Sequence, residues 1–198
     1  MARPLEELKE LIAEFPGIGP RQARRIAQFM LGAGTAYREK LARLVIEAAK
    51  AVSQCDLCLR YADTRNGLCS ICVDNTRDRD SLMVVEKDID IESIESSSAY
   101  HGLYFVLGGL KTLTDRPNGR IVREKELLGR IAKEKIEEVI FALSTTPEGD
   151  YTARELSKEI TNAKSNIKTT LLGRGLSVGA EIEYADSETL RNALRNRA

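Results

Sequence analysis

The chain has no run of 18 apolar residues, and its first ten positions, MARPLEELKE, hold no apolar stretch of the signal-peptide kind. Nothing in it therefore marks membrane insertion or export, and a cytoplasmic location is expected. Net charge is lacking as well, because 30 Lys and Arg balance 30 Asp and Glu. A globally basic surface is excluded, so any nucleic-acid contact must be local. Histidine occurs once, at His101, with no clear acid partner nearby, which suits a loop or core position better than a catalytic base. Internal repeats and low-complexity tracts are also missing.

Cysteine is scarce and confined. All four lie in CDLCLRYADTRNGLCSIC, as the C-x-x-C pairs Cys55/Cys58 and Cys69/Cys72 with ten residues between them. In a reducing cytosol, thiols so placed are better metal ligands than disulfide partners. Each pair brings two thiolates to one side of an ion, and two pairs complete the tetrahedron that Zn²⁺ forms with sulfur at ~2.3 Å. Four sulfurs leave no open coordination position, so one structural Zn²⁺ per chain is expected rather than a catalytic one. The intervening LRYADTRNGL has too little apolar surface for a core of its own. Structural zinc contributes roughly 10–16 kcal/mol of apparent binding energy to such a knot.

What charge asymmetry exists lies at the front: residues 1–50 carry nine Lys or Arg against six acids, and residues 81–143 carry nine against eleven. Leu5, Leu8, Leu11, Ile12 and Phe15 recur at three- and four-residue steps behind Pro4, predicting an amphipathic helix over 4–15. PGIGP interrupts it. A second helix is predicted from Pro20, with Ala23, Ile26, Ala27 and Met30 on one side and Arg21, Arg24 and Arg25 among the rest. A third follows from Tyr37 to Val52, with Leu41, Leu44, Val45, Ala48 and Val52 in register. The segment FPGIGPRQARRIAQ has the form of a helix-hairpin-helix. Gly17 and Gly19 lack a Cβ, so the backbone can turn tightly and approach a phosphate, while the next helix supplies amides and a positive dipole. Arg21 and Arg25, one turn apart, are placed to flank the same phosphate run without reading bases. An ordinary helical corner with solvated arginines is the alternative; the basic second helix favours DNA.

Behind the cysteines, strands and helices alternate. SLMVVE, GLYFVLGG and EEVIFALS read as strands, and IESIESSSA, 123–135 and TARELSKEITNA as helices, which argues for a parallel α/β sheet. KTLTDRPNGR (111–120) is the least patterned stretch. Glu86 falls at the C-terminal end of the first of these strands, where open α/β sheets place ligands, and Asp88 and Asp90 follow. This resembles the first motif of the Toprim fold, whose Glu joins a D-x-D on a later strand to hold Mg²⁺. Here EEVIFAL runs into STTPEGDYTA, so Ser144 and Thr146 stand where those acids would be. Glu148 and Asp150 remain as carboxylates that could join Glu86. A Mg²⁺-dependent nuclease or primase-like enzyme is therefore the alternative reading, although no nucleophile is evident.

Taken in order, FPGIGPRQARRIA, the four cysteines followed by DNTRD, VVEKDIDIESIE, YFVLGG, the EG of PEGDYTA, and GRG with VGAEIEYADSETLRNALRNR resemble the RecR family of bacterial recombination mediators over nearly the whole chain. The resemblance implies a multi-domain α+β and α/β architecture: a helix-hairpin-helix head over 1–53, a four-cysteine zinc finger over 54–79, a Toprim-like domain over 80–172 and a C-terminal oligomerisation tail over 173–198. It implies a nucleoid-associated DNA-repair protein without enzymatic activity. Such a protein forms a homo-oligomeric ring, dimer or tetramer, as a clamp on DNA and acts with RecO or RecF to help load RecA. The family's DNA-contacting positions fall on Arg21 and Arg25 beside Gly17 and Gly19, and its RecO-binding acids on Glu86, Asp90 and Glu148. Three departures bear on partner and ring surfaces: STTP where the family has T-N-P before E-G, KTLTDRPNGR in place of an S-P-L loop, and Leu171 for an arginine in TLLGRG.

Overall fold

The computed structural model describes residues 3–113 and 122–197, so most of the unpatterned 111–120 stretch lies outside the described residues. The chain divides into two compact units, Met1–Val52 and Ser53–Ala198.

The first unit consists of α1 (Arg3–Ala13), α2 (Pro20–Gly32) and α3 (Thr35–Ala51). α1 and α2 meet through buried Ile12, Ala23 and Ala27, with Leu5, Leu8, Ile18, Ile26 and Met30 closing around them. The helical periodicity of α3 is as expected, but the helix buries no residue, and Leu44, Val45 and Ile46 are 47%, 62% and 57% exposed. Apolar spacing predicts a face; what covers that face is a tertiary matter which the spacing does not contain.

The second unit opens with short hairpins that frame the cysteines. β1 (Ser53–Gln54) pairs antiparallel with β2 (Tyr61–Ala62), and β3 (Thr64–Arg65) with β4 (Leu68–Cys69), before the single turn α4 (Ser70–Val73). There follow β5 (Ser81–Val85), α5 (Asp88–Ser97), β6 (Leu103–Val106), α6 (Glu124–Lys133), β7 (Glu138–Ala142), α7 (Pro147–Ala163), β8 (Lys168–Leu171) and α8 (Ser187–Arg195). The sheet runs β6-β5-β7-β8 with every neighbour parallel.

Strand alternation sends successive side chains to opposite faces. On one face Leu82, Val84, Leu103, Phe105, Val139 and Phe141 join Leu127 and Ile131 of α6 and Leu156 and Ile160 of α7. On the other, Met83, Val85, Tyr104 and Val106 join Ile91 of α5 and, in the same cluster, all four cysteines with Ile71. With both faces covered, β5 and β6 read as continuous apolar runs, as parallel strands do. The expected class holds: a helical head, a four-cysteine knot and a parallel α/β domain. The edge strand β8, KTTL, is not anticipated, because its half-exposed threonines and lysine carry no apolar signal.

Candidate functional site

Two tight turns build the cysteine cluster. After the first pair, Leu59 sits at φ 59° with its N–H on Cys55 O (2.9 Å), and Cys55 N reaches Arg60 O (2.8 Å). Ahead of the second pair, Asn66 and Gly67 take φ 52° and 81° at the tip of the β3–β4 hairpin. Gly67 O accepts from Asp56 N at 2.8 Å, and a Cβ at Gly67 would collide with the Asp56 carboxylate. The two knuckles are thereby locked face to face. Cys55, Cys58, Cys69 and Cys72 are all buried, and their sulfurs lie within 4.8 Å of one another.

Cys58 Sγ and Cys69 Sγ are 3.6 Å apart. A tetrahedron of sulfurs bound at ~2.3 Å to a central ion has edges of ~3.8 Å, so the spacing fits a thiolate-held metal. The hydrogen bond with Cys69 pushes the Cys58 thiol up to about 12, and Cys69 is correspondingly held low. The sulfurs thus differ in how readily they give up a proton, and a bound cation is what favours thiolates throughout the cluster.

The knot is bolted to the sheet by polar contacts. Val106 N donates to Cys58 O (2.8 Å). Arg123 Nη1 bridges Leu59 O (3.0 Å) and Val106 O (3.2 Å), and buried Arg130 Nη1 bridges Leu57 O (3.1 Å) and Tyr104 O (2.8 Å). Tyr61 N donates to Asp88 Oδ1 at 2.7 Å. Arg123 and Arg130 are supports of the knot that the motif reading passes over. For Arg130 the one available signal is its place inside the Leu127–Ile131 stripe of α6, where a charge is out of keeping with the buried face.

In the head, Ile18 N closes a turn on Phe15 O (3.0 Å), and Gly17 stands at φ 77°, a conformation costly to any residue with a Cβ. Gly19 is the N-cap of α2 and Pro20 its first residue, with no side chain capping the helix. Arg21, Arg24 and Arg25 follow on the surface, so exposed guanidinium groups stand beside the positive end of a helix whose amides no side chain covers.

The carboxylates distribute differently from a Mg²⁺ site. Glu86, only 3% exposed at the end of β5, accepts from Ser144 Oγ at 2.7 Å and pairs with Lys87 Nζ at 3.2 Å. Ser144 is thus the hydroxyl neighbour of the Glu86 carboxylate. Its carbonyl abuts Gly149, where a Cβ would clash. Asp90 Oδ2 accepts from Lys87 N (2.8 Å) in the first turn of α5, and Glu148 lies in the first turn of α7. Asp150, a candidate partner for Glu86, is instead engaged by Arg174, whose guanidinium holds the Asp150 carboxyl below the usual range. Among the described residues, only the four cysteines form a group of three or more potential ligands close enough to share an ion. His101 is exposed in the loop before β6.

Comparison with known proteins agrees with this geometry. Residues 80–171 match the Toprim domain model, and residues 175–198 match the model of the RecR C-terminal segment. The chain is 37% identical over 196 residues to Recombination protein RecR of Porphyromonas gingivalis, covering 99% of this chain and 93% of that one. It is 36% identical over 194 residues to Recombination protein RecR of Streptococcus pneumoniae, covering 98% and 96%. No described helix is long and apolar enough to cross a membrane.

Proposed function

Because the chain belongs to the RecR family of recombination proteins, we propose that it is a non-catalytic mediator of recombinational DNA repair that clamps DNA without regard to sequence. The observation that carries the DNA role is the Gly17–Ile18–Gly19 turn feeding an uncapped helix, with Arg21 and Arg25 exposed in the first two turns of that helix. Amides and guanidinium groups would hold phosphates there, positioning the protein while leaving bases unread. One mildly basic head makes few such contacts, and non-specific affinity of that kind is typically ~10⁻⁴–10⁻⁶ M. A homo-oligomeric ring, dimer or tetramer, multiplies the heads on one strand and raises their effective concentration. The 173–198 tail is assigned to that assembly, since Val178, Ile182, Tyr184 and Leu194 are 107%, 67%, 80% and 64% exposed on their own protomer.

The cysteine knot is assigned one structural Zn²⁺, with four sulfurs and no open position for substrate. A non-catalytic role is supported by Ser144, whose hydroxyl stands beside Glu86. The acidic end of the sheet is assigned to RecO or RecF, the partners through which RecA is loaded. The residues assigned to that contact are Glu86 at the end of β5, Asp90 in the first turn of α5 and Glu148 in the first turn of α7.

The decisive experiment is Arg21→Ala with Arg25→Ala. Affinity should fall alike for all sequences, and the slope of log affinity against log salt should shrink by about one unit per lost phosphate contact. Unchanged binding would overturn the reading.

A further inference from the structure

Arg21 and Arg25 do not end the exposed stripe of α2. The next position one turn on is Phe29, a residue 61% exposed whose ring meets that of Tyr37, itself 47% exposed, edge to face at 5.8 Å and 83°. Residues four apart on a helix are neighbours, so guanidinium, guanidinium and aromatic ring follow one another up a single face from the glycine turn. Between Phe29 and that turn lies a groove of about 350 Å³ lined by Ile18, Gln22, Arg25, Ile26 and Phe29. The helix buries its alanines, Ala23 and Ala27, and leaves its one phenylalanine outside. An apolar slot with an exposed ring and a cation on its rim is the arrangement that receives a base from a strand whose phosphates are held alongside.

We infer that Phe29, backed by Tyr37, is a stacking platform for one unpaired nucleobase, and that α2 therefore prefers single-stranded over duplex DNA. This rests on the DNA-binding reading of the head. Charge selects the occupant: the groove opens beside Arg25 on a face with Arg21 and Arg24 nearby, which favours a polyanion bearing flat apolar rings. In a duplex those ring faces are already stacked, so the slot would stay empty while the arginines still held the backbone.

The chain contains no tryptophan, so Phe29→Trp creates a sole reporter at the proposed platform. The full-length variant is titrated with oligo-dT and with a duplex of equal length, reading tryptophan emission, while the anisotropy of the labelled oligonucleotide independently reports binding. Single strands should quench emission saturably at the concentrations where anisotropy saturates, whereas the duplex should raise anisotropy without quenching. Phe29→Leu, which keeps the groove apolar but removes the ring, should weaken single-strand binding about tenfold and leave duplex binding within about twofold. Rising anisotropy with constant emission would overturn the platform while sparing the DNA-binding reading. Emission that shifts to the blue with protein concentration, indifferent to DNA, would assign the face to a second copy of the chain and equally overturn it. Absence of any anisotropy change with the wild-type chain at low salt would remove the DNA-binding reading, and this inference with it.

Discussion

The two units of the chain are built on opposite plans. Ser53–Ala198 wraps a four-stranded sheet on both faces, one by α6 and α7 and the other by α5 and the cysteine knot, so its two largest clusters of buried side chains back onto the same strands. Met1–Val52 has a cluster of three buried residues and a third helix that buries none. Small units bury a low fraction of their surface and are correspondingly marginal. The comparison teaches a division of labour: the body holds the folding energy, and the head offers surface. The glycine turn, the arginines and the exposed ring of Phe29 belong to the unit that spends least of its surface on itself.

The sharpest way to break that contrast is to remove the metal. Because the four cysteines share a cluster with Met83, Val85, Tyr104 and Val106, the knot is part of the body's core and not an appendage. Structural zinc is worth roughly 10–16 kcal/mol of apparent binding energy, as much as the whole stability of a typical domain. Elemental analysis should find one zinc per wild-type chain. Stripping it, or Cys58→Ser, should abolish hydrogen-exchange protection in β5 and β6 while the weaker protection of α1 and α2 persists. Protection of β6 surviving in metal-free protein would make the knot and the sheet independent, and the comparison as drawn would fail.

A pair of truncations tests the same contrast at smaller scale. Phe105→Ala, in a fully enclosed position between the sheet and its helices, should cost about 3–5 kcal/mol by urea unfolding. Leu44→Ala, on the open face of α3, should stay within about 0.5 kcal/mol at low protein concentration. A Leu44 cost that grows with concentration would mean that the face is covered by another copy in the assembled state.

How far the sequence carries the structure follows the same physics. Elements whose signal is periodic or spaced were legible: the helices of the head, the apolar strands β5, β6 and β7, and the C-x-x-C pairs, which demand one another wherever the chain goes. Other elements had no such signal. β8 is polar because it is an edge, and β1 to β4 are two residues each, too short for any period. Long-range partners were invisible for a different reason. Arg174 on Asp150, Arg130 on Leu57 O and Ser144 on Glu86 join positions 24, 73 and 58 residues apart, and only tertiary structure sets those distances. The engagement of Asp150 by Arg174 likewise left no trace in the sequence.

The smallest effect concerns how the segment after the knot is tied to the body. Arg77 Nη1 donates to Glu95 Oε1 (3.0 Å) and to Gly102 O (3.2 Å), its Nη2 also pairs with Glu95, and Tyr104 Oη donates to Glu95 Oε1 at 2.7 Å. Asp74 approaches the same guanidinium at 3.8 Å. Hydrogen bonding from Arg77, against the opposing cost of partial burial, holds the Glu95 carboxyl below its ordinary value. A carboxylate whose pKa is depressed by folding stabilises the fold fully above its unfolded value of ~4.3, and that contribution disappears as the pH falls through the folded value. Glu95→Gln keeps the shape and removes the charge. It should lower stability at pH 7 by about 1.5–3 kcal/mol, the range for hydrogen bonds to charged groups. It should also flatten the loss of stability between about pH 5 and the acid transition, so that wild type and variant converge at the lowest pH. Urea midpoints measured across that window decide the matter: parallel curves would mean that Glu95 contributes nothing through its charge.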